Sequence, residues 1–107
     1  MSWVVTLLNE TVMAELSALP VDMRARFSRM SMLIETQGLE RIHEPHVKHL
    51  EGRLWEMRMT GRDGIARAIY VTASGQRVVV VRVFTKKSQK TPHQELEIAR
   101  ARAKEIR

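Results

Sequence analysis

Residues 53–84, RLWEMRMTGRDGIARAIYVTASGQRVVVVRVF, carry a two-residue period that turn chemistry interrupts twice. From Leu54 to Thr60, one face of an extended chain holds Trp55, Met57 and Met59, and the other holds Leu54, Glu56, Arg58 and Thr60. This is the pattern of a half-buried strand. Gly61-Arg62-Asp63-Gly64 reads as a turn, Ile65 to Thr72 as a second strand, Ser74-Gly75 as another turn, and Arg77 to Phe84 as a third strand. The spacing predicts an antiparallel meander. Val78-Val79-Val80-Val81 is apolar on both faces, which suits a central strand in a sheet covered by helices on at least one side.

Outward from this stretch the period changes. Trp3 to Leu8 is a short β-rich run ending at Asn9, a good helix N-cap. Val12, Met13, Leu16 and Leu19, then Met23, Phe27, Met30 and Ile34 after Pro20, recur at helical spacing and predict a hairpin of two helices stopped by Gly38. Leu39 to Leu50 reads as loop with a short strand near Val47 to Leu50. On the other side, Thr91-Pro92-His93-Gln94 has the form of a capping box, with Thr91 as the cap and Pro92 at the first helical position. Leu96, Ala99, Ala103 and Ile106 then form one helical stripe, with Arg100, Arg102, Lys104 and Arg107 mostly off it. The order β, αα, three or four strands, α describes an α+β domain with a small twisted sheet.

The 107 residues, 44% of them apolar, fit one domain. Eighteen Lys and Arg against 12 Asp and Glu give a net charge of +6, favouring a polyanionic partner: nucleic acid, an acidic protein or a membrane surface. The absence of cysteine excludes a disulfide framework and thiolate chemistry, and fits a reducing cytoplasm. The N-terminus has no basic leader region, and Asn9 and Glu10 break its apolar run, so the chain reads as soluble, unprocessed and without a membrane partner.

Candidate chemistry is concentrated in charged residues. His43, His46 and His49 would need a helix to share a metal, and Pro45 sits among them; neither metal nor other cofactor is expected. Met23, Met30 and Met57 read as core, and so does Trp55 beside Met57 and Met59, although its ring could stack a base. A nuclease working without metal must neutralise a pentavalent phosphate and move protons to and from ribose oxygens. Glu56 and Arg58 share a strand face, Arg67 is central in the next strand, and Lys86 and Lys87 end the third, so antiparallel pairing can gather all five in one groove. The solvent face of a half-exposed sheet would show the same charges. Spacing alone leaves the two readings open.

The segments VKHLEGRLWEMRM, ARAIYV and VVVVRVFTKKSQKTP, followed by EIARARAKE, resemble the phage-derived Gp49-like (HigB-like) branch of the RelE superfamily, the toxins of bacterial type II toxin-antitoxin modules. The combination of F-x-K-K-x-x-K-T-P with an upstream L-W-E-x-R carries the resemblance, which covers most of the chain. It implies a RelE-like fold and an endoribonuclease that cuts messenger RNA, usually on the ribosome, by metal-free transesterification. It also implies a helix-turn-helix antitoxin as partner. Arg67 takes the position of the arginine that contacts the scissile phosphate, with Arg58 and Lys87 as further cations around it. Lys86, Lys90 and Arg82 are expected to hold the RNA. The sequence departs from RelE itself at Glu56, where RelE has a basic residue although Glu is usual in the Gp49-like branch, and at His93, near the place of a functional tyrosine. His93 becomes a candidate general acid or base, since imidazole titrates near neutral pH. Glu56 is either a base or a salt-bridge partner that holds Arg58. Two alternatives share the scaffold: a non-catalytic, gyrase-directed binding toxin of ParE type, and an inactive phage-derived remnant that binds RNA.

Overall fold

The computed structural model describes residues 2–86 and 90–107. Strand β1 (Val4–Leu7) leads to Asn9, whose side-chain oxygen accepts from the Val12 amide at 3.1 Å and starts helix α1 (Glu10–Ser17). Pro20 separates α1 from α2 (Val21–Gln37), and Gly38, at φ 98°, ends α2 in a conformation that favours glycine. The segment expected to be loop forms a single 3₁₀ turn at Leu39–Arg41 and then strand β2 (Val47–Glu51). β3 (Leu54–Gly61), β4 (Gly64–Ala73) and β5 (Arg77–Lys86) follow as the expected meander, and α3 (His93–Ala103) closes the chain.

The sheet order is β1-β5-β4-β3-β2, antiparallel throughout except that β1 runs parallel to β5. The valine-rich β5 is therefore interior, as its two apolar faces require, although β4 is the middle strand. Helices cover both faces. Val12 of α1 and Met23, Phe27 and Ile34 of α2 pack on the side of Met57, Met59, Tyr70 and Val80. Ala99, Ala103 and Ile106 pack on the other side, against Leu54, Ile69, Val71 and Val81. Ile69 pairs with Arg82 and Tyr70 with Val80, so Val81 is an extra residue in β5, and this bulge places Arg82 beside α3.

Two expectations are corrected. Trp55 lies on the α2 side but near its margin and is 39% exposed, with its ring tilted against His49 at a centroid distance of 4.8 Å. Alternation fixed its face, but α2 does not extend over it. Thr91 does not cap α3: Pro92 is the N-cap, and no side chain bonds there. The Thr91 hydroxyl is turned inward to buried charged groups instead, where an unmet hydrogen bond costs more than an uncapped helix end exposed to water.

Gly61 matters for space rather than backbone freedom. A Cβ at this position would lie 2.8 Å from Asp22 Oδ2 and 2.8 Å from Met23 Cγ, and Met23 is buried. Asp22 Oδ2 also accepts from the Arg62 amide at 2.7 Å, tying the start of α2 to the β3–β4 turn. Gly61→Ala is expected to lower stability by about 1–3 kcal/mol in urea unfolding. The Arg62 amide bond, opposed by partial desolvation, holds the Asp22 carboxyl below its ordinary range. A depressed carboxylate stabilises the fold above that range and loses its contribution as pH falls through it. The stability difference between the wild type and Asp22→Asn should therefore shrink on acidification.

Candidate functional site

On the sheet face that α3 shares, the apolar surface gives way to charge beyond the end of the helix. Arg58 on β3 stands directly opposite Arg67 on β4, and Arg67 is opposite Phe84 on β5. Two like charges in adjacent cross-strand positions repel each other unless a counter-charge is placed with them. Glu56, two residues before Arg58 on the same face, supplies it. Its Oε1 accepts from Arg58 Nε at 3.1 Å and from Arg67 Nη1 at 3.4 Å, and its Oε2 accepts from the Thr91 hydroxyl at 2.7 Å. Thr91 in turn accepts from Arg67 Nη1 at 3.1 Å.

Glu56 and Arg67 are completely buried, whereas the Arg58 side chain keeps 18% of its surface open. Burial pulls the Arg67 guanidinium below its usual range; the Glu56 charge opposes this and the Arg58 charge adds to it. Arg67 remains cationic at neutral pH. The cluster is thus a fixed positive charge with one solvent-facing member. Lys48 on β2 pairs with Glu56 in register, and Lys48, Leu50, Arg58, Lys90, Thr91 and Leu96 line a groove of about 340 Å³ over the cluster. An anion entering this groove would meet Arg58, Lys48 and Lys90, with Arg67 behind them.

The structure thus gathers Glu56, Arg58, Arg67 and Lys90 in one place. Lys86 ends β5 opposite Ile65, two positions beyond Phe84, and lines a separate hollow with Asp63 and Thr85. Lys87 lies outside the described residues. Arg82, expected to hold RNA, is engaged within the protein. Its guanidinium donates to Glu15 of α1 and Glu95 of α3, each at 2.6 Å, and both bonds hold it firmly protonated. β1 pairs with β5 only as far as Val80, and Glu15 then takes the Val83 amide left at the sheet edge, so Arg82 serves this junction. His93 does not line the groove. It is exposed, with Nε2 2.7 Å from Glu97 one helical turn away. Lys48 and Thr91 are the additions. Lys48 was legible from its alternation with Val47 and His49, but nothing local in the sequence marks Thr91 as a buried partner.

The three histidines are divided: His43 and His46 line a hollow on the α2 side, and His49 sits against Trp55. Among the described residues no helix is long and apolar enough to cross a membrane.

A family model described as "Phage derived protein Gp49-like" matches residues 14–104. A solved chain from the crystal structure of an archaeal RelE-RelB complex of Pyrococcus horikoshii OT3 superposes with a TM-score of 0.62. It covers 84% of this chain and 100% of that one at 21% identity, a likeness that shows the fold. No curated protein matches the sequence. The family match takes in the whole charged cluster from Glu56 to Thr91, and the fold that carries it is RelE-like. The chain belongs to the phage-derived Gp49-like family and carries it on a RelE-like fold.

Proposed function

We propose that this protein is the toxin of a type II toxin-antitoxin module, an endoribonuclease that cuts messenger RNA, on the ribosome, by transesterification. The observation that carries the reading is the Arg58–Glu56–Arg67 cluster, which sets one solvent-facing guanidinium over a buried second positive charge at the floor of a basic groove. In the reaction, the ribose 2′-hydroxyl gives up its proton as its oxygen attacks the adjacent phosphorus, the bond to the 5′-oxygen breaks, that oxygen takes up a proton, and a 2′,3′-cyclic phosphate and a 5′-hydroxyl result. The phosphate gains negative charge on the way. A preorganised cation whose position costs nothing at the moment of reaction stabilises that charge most effectively. Arg58 is the group in contact with phosphate, with Lys48 and Lys90 neutralising charge around it. Arg67 acts from behind through its field and by fixing Glu56.

Glu56 accepts three hydrogen bonds and is out of solvent, so its part is to position the arginines rather than to take a proton. His93→Gln tests the remaining acid–base candidate. Its pairing with Glu97 on the exposed side of α3 leads us to expect cleavage within about threefold of wild type, whereas a general acid or base contributes about 10²–10⁴-fold.

The RelE chain of the archaeal complex is paired with RelB, and this supports an antitoxin as partner here, for which a helix-turn-helix protein is the expected type. The test is induction of the chain alone and with its neighbouring gene product, with message integrity read by RNA end mapping. Cut messages and rescue by the partner support the proposal. One observation favours a second reading, a non-catalytic binding toxin of ParE type: the arginine expected at the scissile phosphate is wholly buried in an ion pair. Intact messages with arrested DNA replication would establish that reading instead.

A further inference from the structure

Arg58 lines a second groove as well. β2 pairs with β3 only as far as Met57, and the Arg58 amide makes the last contact, donating to the His46 carbonyl at 2.9 Å. From there β3 is a sheet edge, and between it and α2 lies a hollow of about 240 Å³. Met30, Leu33 and Ile42 give it an apolar floor, and Arg26, Arg29 and Arg41 stand around it.

The three arginines are exposed. Arg82, Arg100 and Arg102 are engaged by glutamates, whereas Arg26, Arg29 and Arg41 form no ion pair among the described residues, and no described acidic side chain lines their groove. Arg26 and Arg29 are three residues apart on α2 and so share one face. A row of exposed, uncompensated guanidinium groups leading to a phosphate site calls for a ligand that repeats phosphate at intervals. The apolar floor adds a requirement for exposed base faces, which a single strand has and a duplex lacks.

We propose that this groove holds the single-stranded RNA flanking the bond cut at Arg58, with Arg26, Arg29 and Arg41 on its phosphates and Leu33 and Ile42 against unstacked bases. The inference rests on the reading of the chain as an RNA-cutting toxin and extends it to the path of the substrate. It also gives Arg58 two tasks, as the end of the binding track and the start of the cleavage site.

The test compares wild type with Arg26→Gln/Arg29→Gln/Arg41→Gln, whose replaced side chains are exposed and outside the core. Fluorescence anisotropy would follow the binding of a 2′-O-methyl dodecanucleotide, a trinucleotide and a duplex across a salt series. Each phosphate contact to a single strand contributes about 0.7 to the log–log salt slope, so losing three should lower the slope by about 2. Dodecanucleotide affinity should fall at least tenfold at low salt, trinucleotide binding should stay unchanged, and the duplex should bind wild type more weakly than the single strand. An unchanged dodecanucleotide affinity and slope would overturn the inference while leaving the cleavage reading intact. Wild type binding neither single-stranded oligonucleotide would overturn both. A variant that keeps RNA binding but no longer sediments with ribosomes, or no longer captures its antitoxin, would assign the groove to ribosomal RNA or to an acidic protein, and the inference would be wrong.

Discussion

Replacing Glu56 with alanine is expected to cost about 3–5 kcal/mol of stability, because it leaves a buried guanidinium without its counter-charge. Arg67 is fully buried and Arg58 lies directly opposite it, so the two cations would face each other across β3 and β4 with the carboxylate gone. The Thr91 hydroxyl would lose its acceptor as well. For a domain with a total stability of about 5–15 kcal/mol this is a large share, visible as a lowered urea midpoint. Glu56→Leu combined with Arg67→Met removes both charges and keeps volume. That pair should recover most of the loss, because a buried ion pair and an apolar pair of similar size differ little in net stability. A fall below about 1 kcal/mol in Glu56→Ala would mean that water reaches the cluster and that Arg67 is not the fixed charge described above.

This bears on how activity loss is interpreted. Arg67→Ala removes a buried side chain and half of an ion pair, so loss of toxicity in that variant reports folding as well as chemistry. Arg58 offers the cleaner substitution. Part of its side chain is open to solvent, and Glu56 keeps Arg67 as a partner when Arg58 is removed. Arg58→Ala is expected to reduce RNA cleavage by about 10²–10³-fold, the usual loss for one preorganised group that stabilises transition-state charge. Its urea midpoint should remain near wild type. Arg58→Lys should recover only part of the activity, since an ammonium cannot both hold Glu56 and grip phosphate with a planar fork.

Much of the fold was legible because it is written locally. Asn9, Pro20 and Gly38 mark the helical hairpin, and Gly61 to Gly64 with Ser74-Gly75 mark the meander. Alternation put Glu56, Arg58 and Arg67 on faces that antiparallel pairing brings together, so the charged cluster was readable too. What escaped depends on contacts between distant segments. The parallel seat of β1 against β5 and the bulge at Val81 leave no periodic trace, and these decide that Arg82 meets Glu15 and Glu95. Thr91 has the sequence signature of a cap, and only the buried Glu56 and Arg67 draw its hydroxyl inward. His93 lies two residues after Thr91, which enters the site, yet the helical turn directs its ring to Glu97.

The site explains the opposite fates of similar residues. Arginine serves as a clamp between helices at Arg82, as a buried counter-ion at Arg67, and as a solvent-facing cation at Arg58. Sequence specifies the residue type in each case, while the strand pairing around it specifies the task.

The most direct measurement is cleavage of a translated message by the purified chain with ribosomes, comparing wild type and Arg58→Ala, with the new RNA ends identified chemically. The expected result is 5′-hydroxyl and 2′,3′-cyclic phosphate ends for wild type, and about 10²–10³-fold fewer of them for an equally stable Arg58→Ala. An Arg58→Ala protein that cuts as fast as wild type, or a wild type that leaves the message whole, would contradict the placement of the reaction at this arginine cluster.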